Sequence, residues 1–381
     1  MSREKAVRIL QATVSNDGGG LTGYICNNYR FIDKSKVQFD FLSYEEHLNF
    51  KNEFTEMGAH FYTVPHPTHF FQYLHALQVI KRENHDAAIH FNLSYANIIP
   101  IIAAKLAGFS RIIVHSHSTQ IDEKRMWVRK IKQYIHLTGK QLIPYLATDY
   151  WACSKLAAEW MFPHGILNSG QVVLAHNAID TNKFKFDREK RRQIRTELGI
   201  TEDTFCVGHI GRFSYQKNQP FLVDIFYQIC QKRPDSCLLL IGGKDNGEDV
   251  YQEVLDKLKD YQLENKVRLL GFRHDTSNLL QAMDAFILPS RFEGLSIVAV
   301  EVQTAGVPSF FSDAMTKETN LTSNCHFISQ RVSANYWAQV ILENLPGRRD
   351  DNVFEVKKAG YDLNDEVQKI ISFYMQLGNK K

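Results

Sequence analysis

Short apolar runs alternate along most of the chain with longer segments whose apolar residues recur at helical spacing. This alternation is typical of β–α–β units, in which helices join parallel strands. The pattern predicts strands at VRILQATV, VQFDFLSY, HFYTVP, AAIHFN, RIIVHS, DYWACS and QVVLAH in the first half, and at TFCVGHIG, SCLLLIGG, KVRLLGF, DAFILPS and PSFFS in the second. We therefore predict an α/β fold with two Rossmann-like, doubly wound domains facing a cleft.

The two series of strands are separated by the segment HNAIDTNKFKFDREKRRQIRTELGI, in which an Asn/Asp turn cluster precedes a charged helix. This break predicts an N-terminal domain over residues 1–180 and a C-terminal domain over residues 181–360. Residues 361–381 carry an amphipathic pattern. They predict a final helix that packs back toward the N-terminal domain.

The amino-acid composition is typical of a globular protein with two domains. A chain of 381 residues with 44% hydrophobic and 23% charged residues is long enough for two globular domains. It lacks a run of about 20 apolar residues and a signal-peptide core, so we expect a cytoplasmic protein. Its six cysteines include no C-x-x-C pair, which favours reduced thiols over a disulfide or zinc framework. A net charge of +3 is too small to indicate a nucleic-acid partner.

Ligands of doubly wound sheets bind beyond the carboxyl ends of the strands, so the loops there hold the candidate site residues. The first such loop contains Gly18, Gly19 and Gly20 in VSNDGGGLTGY. These glycines let the backbone approach a ligand and leave N–H groups at the start of the next helix. The dinucleotide pattern G-x-G-x-x-G is not met. A tight strand-to-helix turn accounts for the three glycines equally well.

A second candidate loop, GRFSYQKNQP, places Arg212 and Lys217 just before a helix. A guanidinium and an ammonium at a helix N-terminus suit a diphosphate, because both cations and the helix N–H groups attract phosphate oxygens. The alternative is a pair of solvated surface cations. Gly211, directly before Arg212 at the strand end, favours the phosphate interpretation.

The third loop, in SRFEGLSIVAVEVQTAGVP, contains Glu293, and Glu301 falls within the helix that follows. Gly294, Leu295 and Ser296 offer backbone N–H donors at the start of that helix. Eight helical steps of ~1.5 Å separate the two acids by ~12 Å, beyond the ~5–9.5 Å of glycosidase carboxyl pairs. Two separate acceptors for sugar hydroxyls fit better, and an ion pair of Glu301 with a cation remains the alternative.

The residues quoted carry a family resemblance. The two acids in EGLSIVAVE after LPSRF, together with GRFSYQKN and LLLIGGK, resemble the retaining glycosyltransferases of family four, which have the GT-B fold. RIIVHSHST, DYWACSKLAAEWMF and FSDAMTKETNLTSNCHFIS are similar to the branch that builds bacterial capsular and exopolysaccharides. The resemblance covers essentially the whole chain, and the C-terminal half is the more specific part.

The resemblance implies a nucleotide-sugar in the second domain and an acceptor on the first. It assigns Glu301 to the ribose hydroxyls and Glu293 to the donor sugar. Arg212 and Lys217 would hold the diphosphate and stabilise charge on the leaving nucleotide, helped by the N–H groups of residues 294–296. Phe272 and Arg273, in the loop GFRHD, would lie near the base.

The resemblance also implies a histidine in the site, and VHSHS offers His115 and His117, which strand alternation puts on one face. We predict that His117 bonds the transferred sugar and orders the acceptor, with His115 close to it. Gly18 to Gly20 would lie near the phosphates. No carboxylate in the first domain stands out as a nucleophile. We therefore adopt the mechanism that the resemblance implies, a front-face substitution in which the departing phosphate takes the proton of the acceptor.

Cofactors and partners follow from the same resemblance. Family members need no metal, and the sequence contains no D-x-D triplet, so we expect no cofactor. The expected substrates are a UDP-sugar and a saccharide or polyprenyl-linked saccharide. The basic segment around residues 123–140 can form an amphipathic helix on an anionic membrane, at the inner face of the cell membrane. The alternative is an ordinary helix whose apolar face lies in the core.

Two other classes of function stay open at this point. One is a different enzyme on this scaffold, such as a sugar-nucleotide epimerase or a phosphorylase. The Arg/Lys and Glu/Glu spacings favour a transferase, and the sequence shows no lysine placed for a phosphorylase cofactor. The other is a non-catalytic nucleotide-sugar-binding partner of a transferase, which would not need to keep the whole set of site residues.

Overall fold

The computed structural model describes residues 6–16, 20–83, 88–244 and 248–379. The chain divides into two compact domains within these ranges. The first contains residues 6–121, 125–177 and 363–379, and the second contains residues 122–124 and 178–362. The main division therefore falls at 177/178, where the sequence predicts 180/181.

The first domain is built on a parallel sheet in the order β3-β2-β1-β4-β5-β6-β7. Its strands are β1 (Val7–Val14), β2 (Val37–Ser43), β3 (Phe61–Thr63), β4 (Ala88–Leu93), β5 (Ile112–Ser116), β6 (Asp149–Ala152) and β7 (Val172–Leu174). Its helices are α1 (Gly20–Phe31), α2 (Lys51–Glu56), α3 (Phe70–Glu83), α4 (Ile99–Leu106), α5 (Met126–Leu146), α6 (Lys155–Met161) and α7 (His164–Asn168). The strand order reverses between β1 and β4, which defines the topological switch point of this sheet.

The second domain repeats this topology in a parallel sheet with the order β10-β9-β8-β11-β12-β13. Its strands are β8 (Phe205–Ile210), β9 (Ser236–Ile241), β10 (Val267–Gly271), β11 (Ala285–Leu288), β12 (Ser309–Ser312) and β13 (Cys325–Ile328). Its helices are α8 (Thr181–Phe184), α9 (Arg188–Glu197), α10 (Gln219–Lys232), α11 (Glu248–Asp260), α12 (Thr276–Ala282), α13 (Ile297–Thr304), α14 (Ala334–Glu343) and α15 (Val353–Lys358). The switch point of this sheet lies between β8 and β11.

Every strand predicted from the apolar runs is present. Strands such as β2 and β9 are buried along their whole length, as expected for parallel strands covered by helices on both faces. The sequence pattern missed β13, whose first three residues are only partly buried because the strand lies at the edge of the sheet. An edge strand of four residues leaves no continuous apolar run to detect.

The last helix of the chain, α16 (Leu363–Asn379), belongs to the first domain. Its buried residues include Val367, Ile370, Ile371 and Tyr374. The Tyr374 ring stacks on Trp151 of β6 with ring centroids 5.7 Å apart. The apolar face of the amphipathic tail therefore lies against the first sheet. Within the described ranges, no helix has both the length and the apolar content needed to cross a bilayer.

The helix α5 approaches the loop after β4 closely at Gly139, and this contact can be tested by substitution. A Cβ atom at Gly139 would lie 2.0 Å from the carbonyl oxygen of Ala96, whereas a Cβ atom at Gly23 of α1 would meet nothing within 4 Å. We expect Gly139→Ala to lower the free energy of unfolding by about 1–3 kcal/mol, because a backbone atom must move. Gly23→Ala should be neutral or stabilising by up to about 1 kcal/mol. Urea unfolding of the two variants checks this, and equal effects would contradict the packing.

Candidate active site

The loop that leaves β8 is fixed to the neighbouring strand ends before it enters α10. Gly211 donates its N–H to Ile241 O (2.8 Å), and Phe213 donates to Gly243 O (2.9 Å). A Cβ atom at Gly242, where φ is +153°, would lie 2.1 Å from Gly211 O. Only glycine fits at this position, so the backbone of Gly211 and Arg212 can pack directly against the end of β9.

α10 begins after Asn218, which has a left-handed backbone conformation with φ 58°. Asparagine tolerates this conformation better than most residues. Its side-chain amide donates to the carbonyl of Pro289, just after β11 (3.2 Å). Asn218 therefore connects the two loops that leave the strands on either side of the switch point.

Lys217 and Glu293 form the central ion pair of these loops, with Nζ 2.7 Å from Oε1. Their side chains are only 14% and 7% exposed. The amide of Gln216 donates to the other carboxylate oxygen of Glu293 (3.1 Å) and to the carbonyl of Phe292 (3.1 Å). The Glu293 carboxylate is thus held by two donors from the β8 loop.

Arg212 lies in the same loop and pairs with Asp122, whose Oδ2 is 3.3 Å from Nη2. Asp122 belongs to the short segment 122–124 of the second domain, and its Oδ1 also accepts the main-chain N–H of Gln216 (3.0 Å). The Arg212 side chain remains about one-third exposed. Asp122 therefore fixes both the guanidinium and the loop that carries it.

Glu301 differs from Glu293 in its surroundings. It lies in α13, is partly buried, and makes no side-chain hydrogen bond or ion pair within the described part of the chain. Burial raises its pKa to about 7, and the charge of Lys183 opposes that rise. A carboxylate in this state has unused acceptor capacity, which hydroxyl donors of a ligand would satisfy.

The other predicted donor-site residues of the second domain lie at the starts of two different helices, α13 and α12. Ser296 is the N-cap of α13 and makes no side-chain cap bond, and Gly294 and Leu295 directly precede it. Arg273 instead donates to both carboxylate oxygens of Asp275, two residues later in the chain (2.7 and 2.6 Å). Its guanidinium is held at the start of α12, while Phe272 beside it is 53% exposed.

In the first domain, Gly18 and Gly19 lie outside the described residues, and Gly20 is the first residue of α1. The rings of His115 and His117 lie on the same face of the sheet with centroids 3.9 Å apart. His115 has no exposed surface and is enclosed by Tyr24 and Trp151. It cannot touch a ligand directly, so His117, which is partly exposed, is the candidate ligand contact.

A buried chain of hydrogen bonds holds His117. Nε2 of His117 donates to Asn92 Oδ1 (2.9 Å), Asn92 Nδ2 donates to Gln11 Oε1 (3.0 Å), and Gln11 Nε2 donates to Tyr374 Oη (3.3 Å). The Tyr374 hydroxyl then donates to His90 Nδ1 (2.7 Å). All the donors point in one direction, so His117 carries its proton on Nε2 and presents the lone pair of Nδ1.

Burial lowers the pKa of His117 to about 3. The imidazole is therefore neutral at physiological pH, and it can accept a hydrogen bond through Nδ1 but cannot act there as a cationic acid. A cavity of about 200 Å³ adjoins Asn92 at the carboxyl end of β4, lined also by Thr13, Tyr44 and Tyr95. Its lining residues Thr13 and Leu93 lie near the carboxyl ends of β1 and β4, the strands on either side of the switch point.

Sequence reasoning missed the residues that position the site. Gln216, Asp122 and Asn92 all bond directly to predicted site residues. Their partners lie 77, 90 and 25 residues away along the chain, so no local pattern reveals them. Asn218 did leave a signal, because asparagine followed by Gln-Pro is a typical helix start.

The hydrogen-bond chain predicts the effect of a charge beside His117. Asn92→Asp places a carboxylate next to Nε2, which favours the imidazolium form and raises the pKa of His117 above about 3. Asn97→Asp lies in the loop that follows β4, where Asn97 accepts the N–H of Ile99, so it is the matched control and should leave that pKa unchanged. NMR titration of labelled histidines measures both. An unchanged His117 titration in Asn92→Asp would contradict the geometry.

Comparison with known proteins bears on what these residues do. Residues 190–333 match the family described as "Glycosyl transferases group 1". The chain is 27% identical over 380 residues to glycosyltransferase EpsF of Bacillus subtilis, covering 96% of each protein. It is 25% identical over 239 residues to the Escherichia coli enzyme named UDP-Gal:alpha-D-GlcNAc-diphosphoundecaprenol alpha-1,3-galactosyltransferase, covering 62% of this chain and 60% of that one.

Among solved structures, HepE of Anabaena in complex with UDP and glucose superposes with a TM-score of 0.71 at 20% identity. The match covers 98% of this chain and 96% of that one. At that identity the likeness shows the fold, and it confirms the fold class predicted from the sequence. Residues 190–333 therefore resemble glycosyl transferases of group 1, and the chain as a whole has the GT-B fold.

Proposed function

We propose that the chain is a retaining, metal-independent hexosyltransferase. It moves a hexose or N-acetylhexosamine from a UDP-sugar to a lipid-linked saccharide during synthesis of a bacterial capsule or exopolysaccharide. The observation that carries the proposal is the partly buried carboxylate of Glu301, which has unused acceptor capacity. The carboxylate of Glu293, in the loop before α13, is instead already paired with Lys217.

The diphosphate of the donor is assigned to Lys217 and Arg212. An ammonium has three N–H donors and a guanidinium has five. In the structure Lys217 contacts Glu293 (2.7 Å) and Arg212 contacts Asp122 (3.3 Å). The two cations, together with the N–H groups at the start of α13, stabilise negative charge on the leaving nucleotide.

The ribose is assigned to Glu301 and the donor sugar to Glu293. An ionised carboxylate only accepts hydrogen bonds, so two adjacent ribose hydroxyls are suitable partners for Glu301. Glu293 is oriented by Lys217 and Gln216 before any ligand arrives. Such preorganisation lowers the cost of ordering the site on binding.

The proposed reaction breaks the bond between the anomeric carbon and the diphosphate oxygen. The acceptor hydroxyl oxygen forms the new bond on the same face of the sugar, and its proton passes to the departing phosphate oxygen. His117 accepts a hydrogen bond from a sugar hydroxyl through Nδ1, since Nε2 is engaged by Asn92. The reaction needs positioning and charge stabilisation more than a strong base. Arg212 and Lys217 supply positive charge at the diphosphate without a metal.

The names of similar proteins support the choice of substrates. The HepE complex contains UDP and glucose, and the Escherichia coli relative is named for a UDP-hexose donor and a diphosphoundecaprenol-linked acceptor. The relative EpsF, whose match covers 96% of the chain, is named a glycosyltransferase. We extend a UDP-sugar donor and a lipid-linked acceptor to this chain as part of the proposal.

The surface of α5 supports a membrane-bound acceptor. The buried residues of this helix are His136, Gly139 and Ile143. The opposite stripe carries exposed Trp127 and Tyr134, each at least 65% exposed, and further exposed apolar residues at Met126, Ile131, Leu137, Leu142 and Tyr145. The alternative prediction, an apolar face in the core, is therefore wrong for this helix. Lys130 is also exposed, which adds attraction to anionic lipid.

The donor assignment predicts which nucleotide stabilises the protein. A UDP-sugar should raise the thermal unfolding midpoint by mass action, more than GDP- or ADP-sugars do. Glu301→Ala should weaken that ligand at least tenfold, because about 1.5–3 kcal/mol of charged hydrogen bonding is lost. Glu264→Ala, an exposed acid of the same domain, is the control. Stabilisation by a GDP-sugar alone would contradict the UDP assignment.

The raised pKa of Glu301 predicts a pH-dependent effect of Glu301→Gln on stability. The pKa is about 7 when folded and 4.5 as the ordinary value, so the ionised carboxylate destabilises the folded state increasingly as pH rises from 4.5 to 7. Glu301→Gln should therefore raise the free energy of unfolding at pH 8 relative to its effect at pH 4.5. Urea unfolding at both pH values measures this, and an equal effect at both would contradict the burial of Glu301.

The exposed face of α5 predicts salt-sensitive binding to vesicles of anionic phospholipid. Trp127→Ser with Tyr134→Ser should reduce co-sedimentation several-fold, because apolar area that enters the lipid interface is lost. The matched control is Tyr336→Ser with Phe354→Ser, which removes two exposed aromatic residues from the second domain. Equal loss in both double variants, or no salt-sensitive binding of the unmodified chain, would contradict the membrane assignment.

A further inference from the structure

A cavity of about 1110 Å³ lies in the second domain at the amino ends of its strands. Its lining includes Phe205 at the start of β8, Asp284 just before β11, and Pro308 just before β12. The loops that carry Arg212, Lys217 and Glu293 leave the carboxyl ends of β8 and β11. The cavity is therefore at the opposite edge of the same sheet and is separate from the proposed donor site.

Arginine dominates the charge of this cavity. The guanidinium groups that line it belong to Arg188, Arg191, Arg192, Arg233, Arg348 and Arg349. Four acids also line it, but two of them are already paired. Asp284 pairs with Arg191 (2.6 Å) and with the buried Arg195 (3.2 Å), and Asp351 pairs with Lys185 (2.9 Å). Arg192 pairs with Glu189 outside the lining (2.8 Å), so Glu202 and Asp203 remain to offset Arg188, Arg233, Arg348 and Arg349.

Some of these arginines have a structural role. Arg191 donates to the carbonyls of Gln281 and Ala282 (both 3.2 Å) at the end of α12, and Arg349 donates to Leu280 O (3.0 Å). Cations at a helix C-terminus stabilise its exposed carbonyls. This role does not extend to Arg188 or Arg348, which are exposed and make no ion pair within the described ranges.

Arg349 shows that the cluster holds more positive charge than its partners neutralise. Its Nη1 is buried and has no hydrogen-bond partner among the described residues. Burial, and then the neighbouring charge of Arg191, lower its pKa to about 9 despite the nearby Asp284. A bound anion in the cavity would place negative charge near this buried guanidinium.

We propose that this cavity is a second binding site, which takes a small polyvalent phosphate compound such as a nucleotide or a sugar diphosphate. Guanidinium groups bind phosphate oxygens in a bidentate manner, and the arginines come from three separate segments, so several phosphate oxygens can be bound together. The volume is large enough for a ligand of nucleotide size. The site does not depend on the transferase assignment, since none of its residues belongs to the donor loops.

Inorganic tripolyphosphate is the probe for this site, and calorimetric titration measures its binding to the full chain. Because the donor loops also attract phosphate, we compare Lys217→Ala with the double variant Arg188→Ala/Arg348→Ala. We expect Lys217→Ala to keep a binding event that the double variant weakens at least tenfold, through loss of charged hydrogen bonds. Lys259→Ala/Arg268→Ala removes two other cations of this domain and should keep that event.

Hydrogen–deuterium exchange on the unmodified chain tests the location without any substitution. Tripolyphosphate should slow exchange in segments 186–192 and 345–351. Equal weakening by both double variants would mean binding by net charge alone and would overturn the proposal, as would absence of protection in both segments. Neither result would bear on the donor site, which UDP-sugar binding tests by itself.

Discussion

The ion pair between Lys217 and Glu293 is the interaction on which the proposed donor site depends. It joins the loop after β8 to the loop after β11, the two strands that border the switch point of the second sheet. Both side chains are largely buried, so their desolvation is costly unless further hydrogen bonds complete the carboxylate. Gln216 provides such a bond, and Asn218 fixes the same two loops through Pro289. Removing either ion-pair partner would leave a buried charge uncompensated.

Strand order explains why these contacts can form. In a parallel sheet all carboxyl ends lie at one edge, and reversal of the winding between β8 and β11 leaves space between their loops. Gly242 permits the β8 loop to pack against the end of β9, where any side chain would collide with Gly211 O. The opposite edge of the sheet is free of donor-loop residues, and arginines collect there around Asp284. The two edges of one sheet thus present two chemically different clusters of side chains.

The sequence predicted the strands and the loops that carry the candidate chemistry, because parallel strands are continuous apolar runs and their carboxyl ends define the site. It could not predict interactions between distant residues. The chain from His117 through Asn92 and Gln11 to Tyr374 includes a contact across 363 residues. Nor could it tell His115 from His117, since alternation gives the face of a strand residue but not its depth.

Local partners also escaped the sequence interpretation. Arg273 is bound by Asp275 only two residues away, and that pairing depends on side-chain direction in a loop. The apolar residues of α5 recur at helical spacing, and that spacing is compatible both with a face buried in the core and with an exposed face. The structure decides between them because His136 and Gly139, on the opposite side of the helix, make the packing contacts. Periodicity identifies an amphipathic helix, whereas its neighbours determine which face is buried.

The most direct test is to incubate the chain with UDP-hexoses and a metal chelator. NMR then shows the anomeric configuration of the sugar when it is first transferred or released. The α-linked hexose of the donor should give an α-linked product with a lipid-linked acceptor, or α-hexose when water is the acceptor. Cleavage should continue in the chelator. First release of the β-anomer, or no UDP release from any UDP-sugar with an acceptor present, would contradict retaining, metal-independent transfer.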